Sequence, residues 1–204
     1  MSMPERLKYD IIYLEIWKEV IFMYFENTGR ENTNAVVEAA LKTAVKKGIK
    51  NIVVASSKGS TAMLLQNNKG IKITMVSHAF GYPVAGKSEL SEEIRNELEG
   101  MGIKVLTTSH VLSGSERGIS KAFGGISPVE VIAASLRMFG QGTKVCAEIA
   151  IMALDAGLIP YGEPVIAIGG TGVGADTAIV ITPSHASSVL ETKIHEIICK
   201  PSLY

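Results

Sequence analysis

Short apolar runs alternate with segments of helical periodicity from about residue 21 onward. Runs of this length that are rich in β-branched residues are typical of buried strands in a parallel sheet. The pattern predicts four such strands, at 21–26, 50–55, 71–76 and 103–107. Because helix-like segments separate them, the sequence predicts an α/β domain with a largely parallel sheet.

The segments between these strands carry apolar residues at the three- and four-residue spacing of an amphipathic helix. This spacing predicts three helices, at 32–47, 60–68 and 88–100. Gly48 provides a stop signal for the first of them. The segment 107–125 follows the fourth strand and is rich in polar residues and glycine, so we interpret it as a loop.

Two further helices are predicted in the second half of the chain. The run SPVE combines a proline at the first helical position with a glutamate three residues after the serine, which predicts a helix over 127–139. A predicted break at 140–142 separates it from a helix over 143–156, whose apolar stripe is typical of a core helix.

Four glycines within six positions, in GGTGVG, follow the apolar run VIAI. Predicted strands at 164–168 and 177–181 leave eight residues between them, whereas parallel neighbours need a crossover of about a dozen residues or more. We therefore predict an antiparallel hairpin here and a last strand at 193–199. A dinucleotide fingerprint must open a helix, so a glycine loop that opens a strand does not match one.

These elements predict one domain over 21–204, with a three-layer αβα fold, a mostly parallel sheet and an antiparallel C-terminal hairpin. Residues 1–20 are an N-terminal extension with two open interpretations. They could form a helix that packs on the domain or on a partner subunit, or Met23 could be the true start. Charged residues interrupt the apolar stretch 11–25 short of the ~20 residues that a membrane-spanning helix needs, so no membrane is expected as a partner.

Charge and composition exclude several classes of protein. The chain has 20 basic and 20 acidic residues and no basic run, so it lacks the electrostatic footprint of a nucleic-acid-binding protein. Cys146 and Cys199 form no C-x-x-C motif, so we predict buried thiols in a cytoplasmic protein. His78 and His110 have no cysteine or carboxylate pair to complete a ligand set, so no metal site is predicted.

The loop after the second strand is the first candidate for ligand binding. It offers hydroxyl groups, a lysine and the backbone N–H groups of a predicted helix start. Open α/β sheets bind ligands at the carboxyl ends of their strands, and helix N-termini attract phosphate. The predicted binding residues are Ser56, Ser57, Lys58, Gly59, Ser60 and Thr61. The alternative is an ordinary helix N-cap beside a solvated lysine.

The glycine-rich hairpin loop is the second candidate. Glycines expose backbone N–H groups and adopt the positive φ angles from which anion-binding nests are built. The predicted binding residues are Gly170, Thr171, Gly172, Gly174, Asp176 and Thr177, with Asp176 capping the turn. The alternative is a flexible turn that binds nothing.

Polar loops also follow the first, third and fourth strands, at the same edge of the predicted sheet. Asn27 and Arg30 are candidates for phosphate contact, and His78, with two aromatic residues nearby, is a candidate to line a flat ring system. His78 and His110 are also candidates for an acid or a base, because histidine titrates near neutral pH.

The runs SSKGSTA and GGTGVGADTAIV resemble, in this order, two loops of the C-terminal α/β domain of pyruvate kinases. In that family the two loops clasp the phosphates of a sugar-bisphosphate effector. Lys58 replaces the arginine of the first loop, so bidentate phosphate recognition is lost and this effector is not assigned. Pyruvate kinase chemistry resides in a (β/α)₈ barrel of about 250 residues, so a pyruvate kinase is not expected.

The chain from about residue 22 to 200 also resembles an archaeal and bacterial family of stand-alone proteins similar to that domain. The resemblance rests on runs such as YFENTGRENT, VVASSKGSTA and KAFGGISP, and it implies flavin mononucleotide (FMN) as a ligand. The first hypothesis is therefore a homo-oligomeric protein that binds a phosphorylated small ligand, FMN above all. The alternatives are an enzyme that acts on a phosphorylated metabolite through His78 or His110, and a regulatory or assembly module.

Overall fold

The computed structural model describes residues 23–66 and 70–202, so the predicted extension over 1–20 lies outside the described residues. The described strands form one sheet and are, in chain order, β1 (Met23–Phe25), β2 (Asn51–Ala55), β3 (Lys72–Val76), β4 (Lys104–Leu106), β5 (Val165–Gly169), β6 (Thr177–Thr182) and β7 (Lys193–Pro201). The described α-helices are α1 (Thr33–Lys47), α2 (Ser60–Met63), α3 (Glu92–Gly100), α4 (Gly114–Phe123), α5 (Pro128–Arg137) and α6 (Gln141–Asp155). Short 3-10 helices cover Arg30–Asn32 and Ala186–Glu191.

The strand order of the sheet is β1-β7-β6-β5-β2-β3-β4. β2 is parallel to β5 and β3, β3 is parallel to β4, and β1 is parallel to β7. β6 is antiparallel to both of its neighbours. The predicted mostly parallel sheet and the C-terminal hairpin are confirmed, and the carboxyl ends of β1 to β5 all lie at one edge.

Two apolar clusters, one on each face of the sheet, make the fold a three-layer αβα domain. Successive residues of a strand point to opposite faces. Accordingly, Ile52 and Val54 of β2 belong to the cluster with Ala40 of α1, whereas Val53 belongs to the cluster with Ala150 of α6. All five residues of β5 are buried, as expected of a strand that helices cover on both sides. The predicted fold class is therefore confirmed.

The second helix is shorter than predicted, because α2 ends at Met63 and not at 68. The amide of Leu64 bonds to the carbonyl of Thr61, and the amide of Leu65 bonds to that of Ala62. These bonds reach back three residues, as in tight turns, and do not continue an α-helix. The last two predicted positions, 67 and 68, lie outside the described residues.

The prediction of a loop over 107–125 is wrong, because this segment contains α4. Gly114 and Gly118 are poor helix formers, which hides the helix in the sequence. None of the residues of α4 is buried, so no core stripe marks it either. Ile119 and Phe123, four residues apart on one face, are the signal that indicates a helix here.

Local residues set the starts of α5 and α6. The Ser127 N–H donates to Glu130 Oε2 at 3.0 Å, as the predicted helix-start signal requires. α6 begins at Gln141, so the break predicted over 140–142 is confined to Gly140, whose φ is 116°. The helix therefore starts two residues earlier than predicted.

A membrane-spanning helix needs about 20 residues of mostly apolar character. No single helix within 23–66 and 70–202 is long and apolar enough to cross a membrane. α4 and α5 reach that length and composition only as a pair, and the two are bent by 106° at the break between them.

α6 comes very close to the start of β6 at Gly142. A Cβ atom on Gly142 would lie 2.0 Å from Thr177 Oγ1 and 2.8 Å from Asp176 Oδ1. Both of these side chains are buried, and the Thr177 hydroxyl donates to Asp176 Oδ1 at 2.7 Å. The packing of α6 on the sheet therefore requires glycine at this position.

We expect Gly142→Ala to lower the free energy of unfolding by about 1–3 kcal/mol, the usual cost of overpacking a core. Urea denaturation measures this change. Gly118→Ala is the matched control, because a Cβ atom at that helical position would meet nothing within 4 Å. The control is expected to be neutral or to add up to about 1 kcal/mol through helix propensity. Equal losses in both variants would contradict the packing argument.

Candidate functional site

A cleft of about 1010 Å³ opens at the carboxyl edge of the sheet. The loops that follow β2, β3, β4 and β5 line it, and residues of α4 and α6 complete its wall. This edge is where open α/β sheets bind their ligands. Small-molecule pockets have volumes of about 300–1,000 Å³, so the cleft has room for such a ligand.

The loop after β2, residues 56–61, presents most of its predicted residues to the cleft. The residues that line the cleft are Ser56, Ser57, Lys58, Ser60 and Thr61. Gly59 instead has a φ of 90°, and a Cβ atom there would lie 2.6 Å from Ile94 Cγ2, so this turn requires glycine. The Thr61 N–H donates to Ser56 Oγ at 3.3 Å. Lys58 is exposed and forms no ion pair with a described residue.

The hairpin loop between β5 and β6, residues 170–176, lies at the same cleft. Gly170, Gly172 and Gly174 line it, together with Val173. The φ angles of Gly172 and Gly174 are 74° and 81°, in the left-handed region that favours glycine. The fold therefore brings together the two loops that the sequence pairs. Thr171, Asp176 and Thr177 do not line the cleft.

Asp176 is fully buried behind the hairpin loop. Its Oδ2 accepts hydrogen bonds from the N–H groups of Gly29 and Thr171, both at 3.0 Å, and its Oδ1 accepts from the hydroxyl of Thr177. Three donors compensate the cost of burying a carboxylate. Asp176 therefore supports the turn, as a cap does, and it is not placed to contact a ligand in the cleft.

The loop after β1 packs behind the hairpin loop and does not reach the cleft. The Ala175 N–H donates to Thr33 Oγ1 at 3.0 Å, and the Thr33 hydroxyl donates to the Arg30 carbonyl at 2.7 Å. Asn27 and Arg30 are exposed, and neither lines the cleft. The physical reason is strand order, because β7 and β6 separate β1 from the strands that frame the cleft.

His78 and His110 come together where the loops after β3 and β4 meet. Their ring centroids are 5.7 Å apart, and the ring of Tyr82 lies edge-on to His78 at 4.6 Å. His78 Nδ1 is 2.5 Å from Glu89 Oε2. A carboxylate at one ring nitrogen fixes the orientation of the imidazole and leaves the other nitrogen for proton transfer.

Two charged residues of α6 also belong to the cleft, and no sequence prediction includes them. Lys144 and Glu148 form a buried ion pair in the wall of the cleft. Glu148 Oε1 also accepts a hydrogen bond from the Leu112 N–H at 3.1 Å. The apolar stripe of α6 predicts only a core helix. Opposite charges four residues apart on that helix are the signal that indicates the pair.

The cleft is cationic, although the whole chain has a formal net charge of 0. Five cationic side chains line it against two carboxylates. The cations are Lys58, Arg117, Lys121, Arg137 and Lys144, and the carboxylates are Glu89 and Glu148. Side chains of one sign around a cleft focus the field and favour a ligand of opposite charge. This cleft therefore favours an anion.

Burial changes the proton affinity of several groups. It lowers the pKa of His110 below its usual 6.5, and the charge of Glu148 opposes this change. Burial also lowers the pKa of Lys144, again against the charge of Glu148. It raises the pKa of Cys199 to about 12 and that of Cys146 well above its usual value. Both thiols therefore stay protonated and are not nucleophiles near neutral pH.

No group of three or more His, Cys, Asp or Glu residues within the described part of the chain could hold a metal ion. The chemistry that the cleft offers is therefore that of hydroxyl groups, backbone N–H groups, ammonium and guanidinium groups, two imidazoles and two carboxylates.

The open sheet with helices on both faces and a cleft at its carboxyl edge defines a three-layer α/β domain. The family model described as "Pyruvate kinase, alpha/beta domain" matches residues 34–181. The chain therefore belongs to the pyruvate kinase α/β domain family, and the resemblance inferred from the two loops is confirmed. The described residues form this domain and contain no (β/α)₈ barrel.

Pyruvate kinases from Cryptosporidium parvum are among the solved structures that the chain is similar to. One is 17% identical, with a TM-score of 0.38, over 86% of this chain and 26% of that one. A second, in complex with ADP, is 16% identical, with a TM-score of 0.37, over 95% of this chain and 27% of that one. The chain thus spans about a quarter of the length of these enzymes.

The lowered pKa of His110 predicts that the protein loses stability as the pH falls. Below the usual histidine pKa of 6.5, the unfolded chain takes up a proton on His110 that the folded chain binds less readily. The free energy of unfolding should therefore fall as the pH drops from 6.5 to the folded pKa. We expect His110→Asn to flatten this part of the profile in urea denaturation. A ring titration by NMR that gives His110 a pKa above 6.5 would contradict the prediction.

Proposed function

We propose that the protein binds a phosphorylated small ligand, with the phosphate between the 56–61 loop and the hairpin loop. The observation that carries the proposal is that these two loops, more than 100 residues apart in sequence, line one cationic cleft. The first loop offers the hydroxyls of Ser57 and Ser60 and the ammonium of Lys58, and the second offers glycine N–H groups. These are the donors that phosphate accepts in proteins.

FMN is the ligand that we propose for the cleft. Its phosphate fits the donors of the two loops, and its flat ring system needs an aromatic or apolar wall. His78 and Tyr82 line the same cleft with their rings in contact, which supports a ring site on the β3 side. The resemblance to the stand-alone relatives of the pyruvate kinase domain also favours FMN.

The proposal predicts that the protein binds FMN more tightly than riboflavin, which lacks the phosphate. Titration by quenching of flavin fluorescence measures both affinities. Lys58→Ala should weaken FMN binding about tenfold, the effect of losing one charge-assisted hydrogen bond, and should leave riboflavin unaffected. Lys42→Ala, an exposed lysine on α1 away from the cleft, is the matched control.

Two results would contradict this function. Equal affinity for FMN and riboflavin would mean that the two loops do not bind the phosphate group. The absence of binding of FMN, riboflavin and inorganic phosphate at high micromolar concentration would reject the ligand site itself. A purified protein with the absorption spectrum of a flavin would support FMN directly.

A second candidate function is acid or base catalysis on a phosphorylated metabolite. The observation that favours it is the Glu89–His78 hydrogen bond, because a carboxylate that orients an imidazole is a common feature of general bases. The basic nitrogen in this arrangement is His78 Nε2, and His110 lies next to it.

This function predicts turnover of at least one compound in a screen of phosphate esters and sugar phosphates. His78→Gln should then lower kcat by about 100-fold or more, the usual contribution of a general base, with little change in ligand affinity. Glu89→Gln should have a smaller effect in the same direction, because it only removes the group that orients the ring. A fully active His78→Gln variant would exclude this role.

A further inference from the structure

A buried lysine such as Lys144 is unusual on a core helix. Its side chain is 6% exposed and that of Glu148 is 4% exposed, yet both residues line the cleft. The Lys144 Nζ donates a hydrogen bond to Glu148 Oε2 and to no other described residue. An ammonium group has three donors. Two of its N–H groups therefore lack a described protein partner at a position that borders the cleft.

Lys144 is a nucleophile only as a neutral amine, and its surroundings ease the loss of its proton. Burial and the nearby charges of Arg117 and Arg137 lower its pKa, while Glu148 has the opposite effect. Glu148 is held in place by the Leu112 N–H on its other oxygen. Its other oxygen, Oε2, already accepts the hydrogen bond from Lys144 and can therefore accept the proton that Lys144 must lose before it reacts.

We propose that Lys144 forms a Schiff base with an aldehyde or ketone group of a phosphorylated ligand in this cleft. The inference rests on the phosphate placement proposed above and adds a second class of ligand besides FMN, a phosphorylated carbonyl compound whose phosphate takes the same position. Lysines that form Schiff bases are typically desolvated or placed next to another cation. Lys144 is buried, and the charges of Arg137 and Arg117, which line the same cleft, act on it.

The step balances without an oxidant or a reductant. The Lys144 ammonium transfers a proton to the Glu148 carboxylate, and the neutral Nζ attacks the carbonyl carbon. The carbonyl oxygen takes up one proton from the attacking nitrogen, which gives the carbinolamine. The departing hydroxyl then takes up the second proton of that nitrogen and leaves as water. One C=O bond is broken, one C=N bond is formed, and the imine nitrogen can regain the proton from Glu148. His110 lines the same cleft, and the charges of Glu148 and Lys144 act on its pKa.

Two other lysines line the cleft, and their environments differ from that of Lys144. Lys58 and Lys121 are exposed to water, whereas Lys144 is buried beside Glu148. We therefore expect a carbonyl compound in the cleft to react at Lys144 and not at these two positions.

Pyridoxal 5′-phosphate, a planar phosphorylated aldehyde, is a direct probe of this inference. The protein is incubated with a stoichiometric amount at neutral pH, reduced with borohydride, digested and mapped by mass spectrometry. One saturable adduct at Lys144 is expected. Pyridoxal, which lacks the phosphate, should label Lys144 about tenfold more slowly, the effect of losing roughly 1.4 kcal/mol of binding. Bound FMN should protect Lys144 from the probe.

Variants separate the amine from the rest of the cleft. Lys144→Arg keeps the positive charge and should give no adduct, with circular dichroism as the check on folding. Lys42→Arg, at an exposed lysine of α1 away from the cleft, is the matched control and should leave the Lys144 adduct intact. If Lys144→Arg does not fold, the peptide map of the wild-type protein still shows whether the adduct is on Lys144. An adduct at Lys58 or Lys121, or no adduct, overturns the inference.

Binding of FMN tests the proposed function, and labelling of Lys144 tests the Schiff base, so the two proposals can fail separately. If FMN binds and Lys144 stays unlabelled, the Schiff base is wrong and the phosphate site stands. If Lys144 is labelled and neither FMN nor inorganic phosphate slows the labelling, the amine is reactive but the phosphate placement is wrong, and the inference fails with it. If nothing binds and nothing is labelled, both proposals fail.

Discussion

The buried carboxylate of Asp176 is the interaction on which the site depends. It joins two segments far apart in sequence, because it accepts hydrogen bonds from Gly29 after β1 and from Thr171 in the hairpin loop. An ionised group with no exposure would be costly without such donors. These bonds hold the hairpin loop on its inner side, and three of its glycines line the cleft on the other side. The close approach of Gly142 to the same region then brings α6, with Lys144 and Glu148, to the wall of that cleft.

The fold places negative and positive side chains on opposite sides of the hairpin loop. The carboxylate of Asp176 lies behind the hairpin loop, whereas five cations line the front of the cleft. A formal net charge of 0 for the chain therefore coexists with a site that attracts anions. Net charge describes solubility and long-range association, but the field in a cleft depends on which side chains the fold brings there. For this chain the distribution of charge carries the functional information.

The parts of the fold that local patterns determine could be predicted from the sequence. Strand periodicity gave the seven strands to within about two residues, and the length of the connection after 164–168 identified the hairpin. Strand order could not be predicted, since nothing local states that β1 pairs with β7 at the far edge of the sheet. For that reason the sequence predicts Asn27 and Arg30 at the cleft, which neither residue lines in the structure. α4 was missed because its glycines obscure a helix that buries no residue.

A contribution to folding stability is a weak explanation for the ion pair of Lys144 and Glu148. Replacing a buried ion pair by apolar residues is often neutral or stabilising, so such a pair is weak evidence for a role in folding. The bond from the Leu112 N–H gives a structural reason for the carboxylate, because it satisfies a buried amide. The lysine neutralises that buried carboxylate, but its ammonium bonds to Glu148 alone among the described residues, which leaves two N–H donors at the border of the cleft. A cation that burial disfavours, kept at the border of an anion-attracting cleft, is better explained by what it does to a ligand.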